Sequence, residues 1–226
     1  MSKTRGIVLE AETSRDVEPG VVTLYDRSRF ANNGTFAGTV GTPIWVQLPS
    51  GLWVLDFTAA NAQYINFGTP ESINNISNAI SVEIWFNLKT AVGFQRIFNT
   101  ADAFSGGVNY GIDIIMDGTL FYGQVCGTLS TQNGQWADRI ADVWHYATFT
   151  YNRVQNLTYG NGVLISGDTI DSGTINNTTN VYLGRRNSAN TQNLNGYIGM
   201  LNIYNYALTP GQVLQRFEAT RSLFGV

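Results

Sequence analysis

Short runs of β-branched and aromatic residues, broken by clusters of Gly, Asn and Asp, fill this 226-residue chain from end to end. Such runs fit the pleated, half-buried surface of a strand, and the clusters supply the backbone conformations that tight turns need. The segment ISVEIWFNL alternates: Val82, Ile84 and Phe86 fall on one face, and Ser81, Glu83, Trp85 and Asn87 on the other. In VWHYATFTYN, Trp144, Tyr146, Thr148 and Thr150 share a face. YGIDIIMDGTLFYGQV predicts a hairpin turning on Asp117-Gly118, and NLTYGNGVLISG a second turning on Asn161-Gly162. DRSRFANNGTF predicts a loop with Asn33-Gly34 as its tightest point, and NVYLGRRN a strand ending in two arginines. One helix is expected, with Thr209 as N-cap, Pro210 at the first helical position and Gln212 completing a capping box. Leu208 and Val213 would form its hydrophobic staple, and Val213, Leu214 and Phe217 its apolar stripe. About a dozen strands and one terminal helix predict an all-β fold, an antiparallel two-sheet sandwich. No linker, charge block or repeat divides the chain, so residues 1–226 read as a single domain.

Composition narrows the function. Hydrophobic residues make up 43% and charged residues 13%, enough apolar surface for a core. The net charge is -3 and no basic patch stands out, which argues against a nucleic-acid partner. The lone Cys126 excludes an internal disulfide, and the single His145 excludes a His-pair metal site. The start, MSKTRGIVLEAE, has too short an apolar run for a signal peptide, and no stretch approaches the roughly 18 apolar residues of a membrane span. The expectation is a protein made in the cytoplasm and not inserted into a membrane.

Catalytic candidates are sparse. Hydrolysis of a glycoside needs two carboxyl groups across the scissile bond. Asp113 and Asp117 are spaced to share a strand face, but Asp117 is wanted in the turn. His145 sits inside WHYATF, and Cys126 lacks a nearby base, so neither reads as catalytic. The expectation is a protein that is not an enzyme. Ligand binding points instead to Trp136 and Arg139 in the polar stretch NGQWADR, and to Arg185, Arg186 and Asn187 at a strand end. Trp45 and Trp53 alternate with apolar residues and read as core. Glu10, Glu12 and Asp26 are candidate oxygen ligands for a hard cation.

Five segments, taken in order, carry a resemblance. LYDRSRFANNGTF looks like an Asp-x-Ser-Gly-Asn-x-Asn-x-Gly-Thr loop, and LDFTAANAQYINFG like a Leu-Asp-Phe strand followed by a Tyr-Val strand. ISVEIWFNL is similar to Thr-Ile-Glu-x-Trp-Val, and WHYATFTYN with GNGVLI to Trp-His-His-Val-Ala-x-Thr-Tyr and its following hairpin. VYLGRRN with NGYIGMLNIYNYALTP looks like Leu-x-Ile-Gly followed by Gly-x-Ile-Asp-Glu-Val-Arg-Ile-Tyr-Asn-Arg-Ala-Leu-Ser. Together they resemble the laminin-G-like jelly rolls of the concanavalin A-like lectin/glucanase superfamily. The resemblance implies two curved antiparallel sheets and leaves function open, since the superfamily holds lectins, adhesion modules, glycosidases, lyases and structural proteins. Its retaining glucanases carry Glu-x-Asp-x-x-Glu on one strand, whereas Glu83 here is followed by Trp85 and Phe86. Its usual ion is calcium (Ca2+), held partly by an Asp-Glu pair on the last strand, and those positions are Gly199 and Met200.

The ending QRFEATRSLFGV resembles the tails of lamin-G-like proteins encoded by tailed phages, which often close on Asn-Ala-Thr-x-x-Arg-Phe/Tyr-Gly. That implies a virion surface or tail-associated component. Its partners would be other virion proteins or copies of itself, and host-surface or polysaccharide glycans. The alternatives are a carbohydrate-active enzyme (hydrolase or lyase) of the same fold, or a free bacterial lectin module.

Overall fold

The computed structural model describes residues 6–12, 17, 20–100, 111–117, 120–126, 133–136, 141–169, 175, 180–186 and 191–226. Among them the strands are β1 (Ile7–Glu12), β2 (Thr23–Leu24), β3 (Gly34–Ala37), β4 (Ile44–Gln47), β5 (Trp53–Phe57), β6 (Tyr64–Asn66), β7 (Ile80–Leu88) and β8 (Phe94–Asn99). They continue with β9 (Gly111–Asp117), β10 (Leu120–Cys126), β11 (Asn133–Trp136), β12 (Trp144–Tyr151), β13 (Gln155–Gly160), β14 (Val163–Thr169), β15 (Tyr182–Leu183) and β16 (Gly196–Tyr204). A one-turn helix, α1 (Glu71–Asn74), and the terminal helix α2 (Pro210–Thr220) complete the described elements with two short 3-10 turns. One antiparallel sheet runs β14-β13-β12-β7-β16-β5-β4, and β1 pairs with the second half of β16. The other runs β11-β10-β9-β8-β15-β6-β3-β2.

The inner faces meet as the alternation in ISVEIWFNL requires. Val82, Ile84 and Phe86 of β7 pack with Phe149, Ile198 and Leu201 against Ile112, Ile114 and Met116 of the second sheet. The Phe86 ring stacks on Phe121 across the core, centroids 5.5 Å apart. Yet all nine residues of β7 are buried, not only the inner four or five. The cause is a second apolar layer on the outer face of the first sheet, where Trp85, Tyr146, Tyr204 and Met200 are covered by Val213, Phe217 and Phe224. Trp85 stacks on Phe224 at 4.3 Å, and its indole N–H donates to Thr220 Oγ1 at 2.9 Å. The C-terminal segment is thus a third layer of the fold.

The capping box of α2 is formed. Thr209 Oγ1 accepts from the Gln212 N–H, and Thr209 N–H donates to Gln212 Oε1 at 2.9 Å. Leu208 and Val213 are buried in one cluster, as a staple requires. The predicted stripe is corrected at one position. Val213 and Phe217 are buried, whereas Leu214 is 46% exposed because the helix seats on its i, i+4 pair and turns Leu214 to the margin. There Leu214 lies against the Asn161-Gly162 turn, whose two residues both have positive φ (49° and 81°) as that hairpin demands.

Other turns differ from expectation. Asp117 pairs with Leu120 and is a strand residue, not a turn residue; residues 118–119 between them lie outside the described residues. In the first loop the left-handed residue is Ala31 (φ 53°), with Asn33 N–H donating to the Ala31 carbonyl. Gly34 instead begins β3, where a Cβ would fall 2.4 Å from Ile65 Cγ2 and 2.8 Å from the Phe67 ring. Arg185 and Arg186 lie beyond β15, which is only two residues long. Trp45 packs at the margin of the core and donates its indole N–H to the Val21 carbonyl.

Candidate functional site

The first loop is held by one carboxylate. Asp26 Oδ1 accepts from the N–H groups of Glu10 (2.9 Å) and Ser28 (2.8 Å), and Oδ2 from Ser28 Oγ (2.8 Å) and Asn32 N–H (2.7 Å). Asn32 then ties the loop outward, its Nδ2 donating to the Val8 carbonyl at 2.7 Å and to Ser72 Oγ at 2.8 Å. Buried charge-assisted bonds of this kind fix a loop tightly. The fixed loop presents Phe30 to solvent, 37% exposed, with the Arg29 guanidinium over the ring at 4.7 Å.

Phe30 forms one wall of a cleft of about 510 Å3. Glu71 and Ser72 of α1, the segment Asn75 to Ala79 that follows it, and Asn205 just past β16 also line it. α1 ends where Asn75 N–H closes on the Glu71 carbonyl at 2.9 Å, which leaves the Asn75 side chain exposed at the rim. The cleft's buried apolar lining is Val8 and Ile76. An exposed aromatic, three carboxamides, two hydroxyls and one carboxylate around a cleft make a surface suited to a polyhydroxylated ring, whose C–H face stacks and whose hydroxyls pair with planar polar groups.

The residues expected to bind ligand are placed as follows. The Arg185 guanidinium lies over Tyr64 (4.5 Å) and Tyr182 (4.9 Å), two rings in edge contact at 5.7 Å, and its Nε–H donates to the Arg186 carbonyl. The structure therefore joins Arg185 to Tyr64, which no sequence pattern linked to it. Trp136 is in the edge strand β11, its backbone opposite Phe121, and not in a loop. Its side chain, and residues Arg139 and Asn187, lie outside the described residues.

The expected cation ligands lie on β1 and in the first loop. Asp26 spends both oxygens on the loop, and Glu10 lies opposite Asn202 in the β1–β16 pairing. Glu12 pairs with Met200 through its backbone, and its side chain lies outside the described residues. No group of three His, Cys, Asp or Glu able to hold a metal ion occurs among the described residues. Gly199 and Met200 explain part of this. A Cβ on Gly199 would fall 2.2 Å from Phe224 Cε1, and Met200 is buried in the outer apolar layer. The positions of the family's acid pair have become packing surface, so calcium does not fit there.

The carboxylates considered for catalysis are committed elsewhere. Glu83 is buried under α2. Its Oε1 accepts from Asn202 Nδ2 and Tyr204 OH (both 2.8 Å) and faces Arg216 at 3.5 Å, while Oε2 accepts from Tyr146 OH at 2.8 Å. Burial first, then the Glu83 charge, drives both phenols far above the ordinary tyrosine range. For Arg216 burial is the largest single influence and works against the charged form, but the Glu83 charge together with Tyr204, Tyr146 and Tyr206 outweighs it, and the net direction is up. The adjoining cavity, lined also by Ala219 and Thr220 of α2, is about 100 Å3, too small to take in a sugar. Asp113 is buried against Arg96 at 3.1 Å. His145 is buried beside Phe86 on the inner side.

The chain belongs to the concanavalin A-like lectin/glucanases superfamily: a laminin G-type profile of that superfamily matches residues 59–214, more than half of the chain. Several solved structures share its fold. Domain 4 of AbnA, a GH43 extracellular arabinanase from Geobacillus stearothermophilus, solved with arabinotriose, matches at TM-score 0.71 and 19% identity over 92% of this chain and 97% of that one. The binding domain of botulinum neurotoxin DC, solved with rat synaptotagmin II, matches at TM-score 0.71 and 14% identity over 96% of this chain and 52% of that one. The same binding domain solved with SialylT gives TM-score 0.70 and 14% identity, over 95% and 51%. This chain thus spans about half the length of those neurotoxin binding domains. No curated protein sequence matches.

Proposed function

We propose that this chain is a non-catalytic glycan-binding module that holds sugar in the cleft between Phe30 and α1. The observation that carries the reading is the cleft itself, lined by an exposed aromatic on a tightly held loop and by the amides of Asn75, Asn78 and Asn205 in a lectin-type fold. The commitment of Glu83 and Asp113 to buried partners supports the non-catalytic part. The arabinotriose complex of the similar AbnA domain makes pentose and hexose oligosaccharides the first ligands to try. Calorimetric titration with such oligosaccharides should show binding that Phe30→Ala weakens by at least about fivefold, the loss expected of a central aromatic contact. Phe30 is exposed, so the variant should melt as the parent does. Binding that ignores Phe30→Ala, or no binding across a broad glycan panel, would refute the reading. Arg185, Arg186, Trp136, Arg139 and Asn187 are proposed as a second contact surface.

The proposed setting is the surface or tail of a virus particle, where the chain packs on other particle proteins or on itself. Its support is the likeness of QRFEATRSLFGV to phage-encoded tails. Phe224 of that tail is buried in this chain's own outer layer, so contacts to particle partners would be made by other surfaces. Absence of the chain from purified particles of a virus encoding it would refute this setting.

A further inference from the structure

We infer that the Phe30 cleft selects uncharged glycans and disfavours those carrying a carboxylate; this rests on the glycan-binding reading above. Among the described residues that line it, the one charged group is Glu71, exposed at the first position of α1. The remaining polar lining is Ser72, Asn75, Ser77, Asn78 and Asn205, which are neutral. A carboxylate accepts only. Facing a neutral sugar it can take hydrogen bonds from adjacent hydroxyls, which then present their own oxygens to the carboxamide donors. Facing a sialic or uronic acid it repels, and the neutral amides offer no compensating charge.

Two arginines lie nearby, and both are engaged. Arg29 is stacked on Phe30, and Arg153 Nη1 donates to Asn78 Oδ1 at 3.3 Å. Neither lines the cleft, whereas Glu71 does, so a bound sugar lies closer to the carboxylate than to either guanidinium, and the more distant charges are the more strongly screened.

The test compares size-matched pairs on the full chain: galactotriose against trigalacturonic acid, and galactosyllactose against sialyllactose, by calorimetry at low and high salt. The neutral member should bind more tightly by about fivefold to tenfold at low salt, the gap expected of like charges at partly solvated contact distance. The gap should narrow at high salt. Glu71→Gln should narrow it at low salt, and Glu71→Lys should reverse it. Glu71 is exposed, and an unchanged melting temperature would confirm that both variants fold. Equal or tighter binding of the acidic members through a Phe30-dependent site would overturn this inference while leaving the glycan-binding reading standing. A gap that Glu71→Lys does not move would overturn it too. Failure of all four sugars to bind would overturn both.

Discussion

Gly199 and Phe224 should behave as one unit in a double-mutant cycle. Gly199 interrupts the register of β16 between Ile198 and Met200, and the Phe224 ring fills the space above it. A Cβ there would lie 2.2 Å from Cε1 and 2.6 Å from Cζ of Phe224, and 3.3 Å from Trp144 Cζ3. The ring cannot retreat, because Trp85 stacks on it at 4.3 Å and Trp144 meets it at 4.8 Å. Gly199 does not adopt a positive φ, so alanine is acceptable to its backbone and the cost is steric. Overpacking of this kind costs about 1–3 kcal/mol. Phe224→Ala alone should cost about 3–5 kcal/mol, toward the lower end because the site is close to the chain's end and can partly collapse. In the Phe224→Ala background the clash is gone. Gly199→Ala should then cost nothing, or stabilise slightly through the better strand propensity of alanine, by about 0.5 kcal/mol. The coupling energy should therefore be about 2 kcal/mol, with the double variant more stable than the sum of the singles allows. Urea unfolding followed by Trp fluorescence measures it, with Trp85 and Trp144 beside the site. Costs that add within about 0.5 kcal/mol would refute the packing argument.

Two further outcomes follow from the layer under α2. Glu83→Gln removes the charge facing Arg216 and sets an amide against Tyr146 OH, and should destabilise by about 1–3 kcal/mol in urea unfolding; a loss below about 0.5 kcal/mol would mean that the buried carboxylate is not a keystone of this layer. The folded chain keeps the Tyr146 and Tyr204 protons at pH values where the unfolded chain releases them, so stability should be level below pH of about 10 and decline above it, by up to about 1.4 kcal/mol per pH unit for each phenol. Tyr204→Phe should make the decline shallower, and a stability profile flat to about pH 11 would refute the assignment.

Much of the fold was legible because it is local. The period of ISVEIWFNL, the Asn161-Gly162 turn and the Thr209–Gln212 box depend on neighbours within a few residues, and all three are built as read. Two of the misreadings originate in contacts made at long range. Gly34 looked like a turn glycine, but it is required by Ile65 and Phe67 across the pleat. Leu214 fits a helical stripe, but the sheet below accepts only Val213 and Phe217. The cleft was invisible for the same reason. Its walls come from residue 8, residue 30, residues 71–79 and residue 205, and only the Asp26-held loop and the β1–β16 pairing bring them together. Trp136 drew attention through its polar neighbours, whereas the exposed aromatic beside a cleft is Phe30, whose sequence context RSRFANN carries no such signal.

The Gly199-Met200 pair links these observations to function. Its lack of acids was readable in the sequence, but the cause was not, because Phe224 is remote in the chain. Once α2 and the tail lie on the outer face, that face must be apolar around Trp85, and the positions that would carry the family's acids take a glycine to admit a ring and a methionine to pack beside it. Glu83 survives on the same face only because Tyr146, Tyr204, Asn202 and Arg216 satisfy it there. Around Trp85 that face is covered by α2 and the tail. The ligand contacts proposed above are accordingly at the rim, where the loop at Phe30 and the turn of α1 line an open cleft with polar groups.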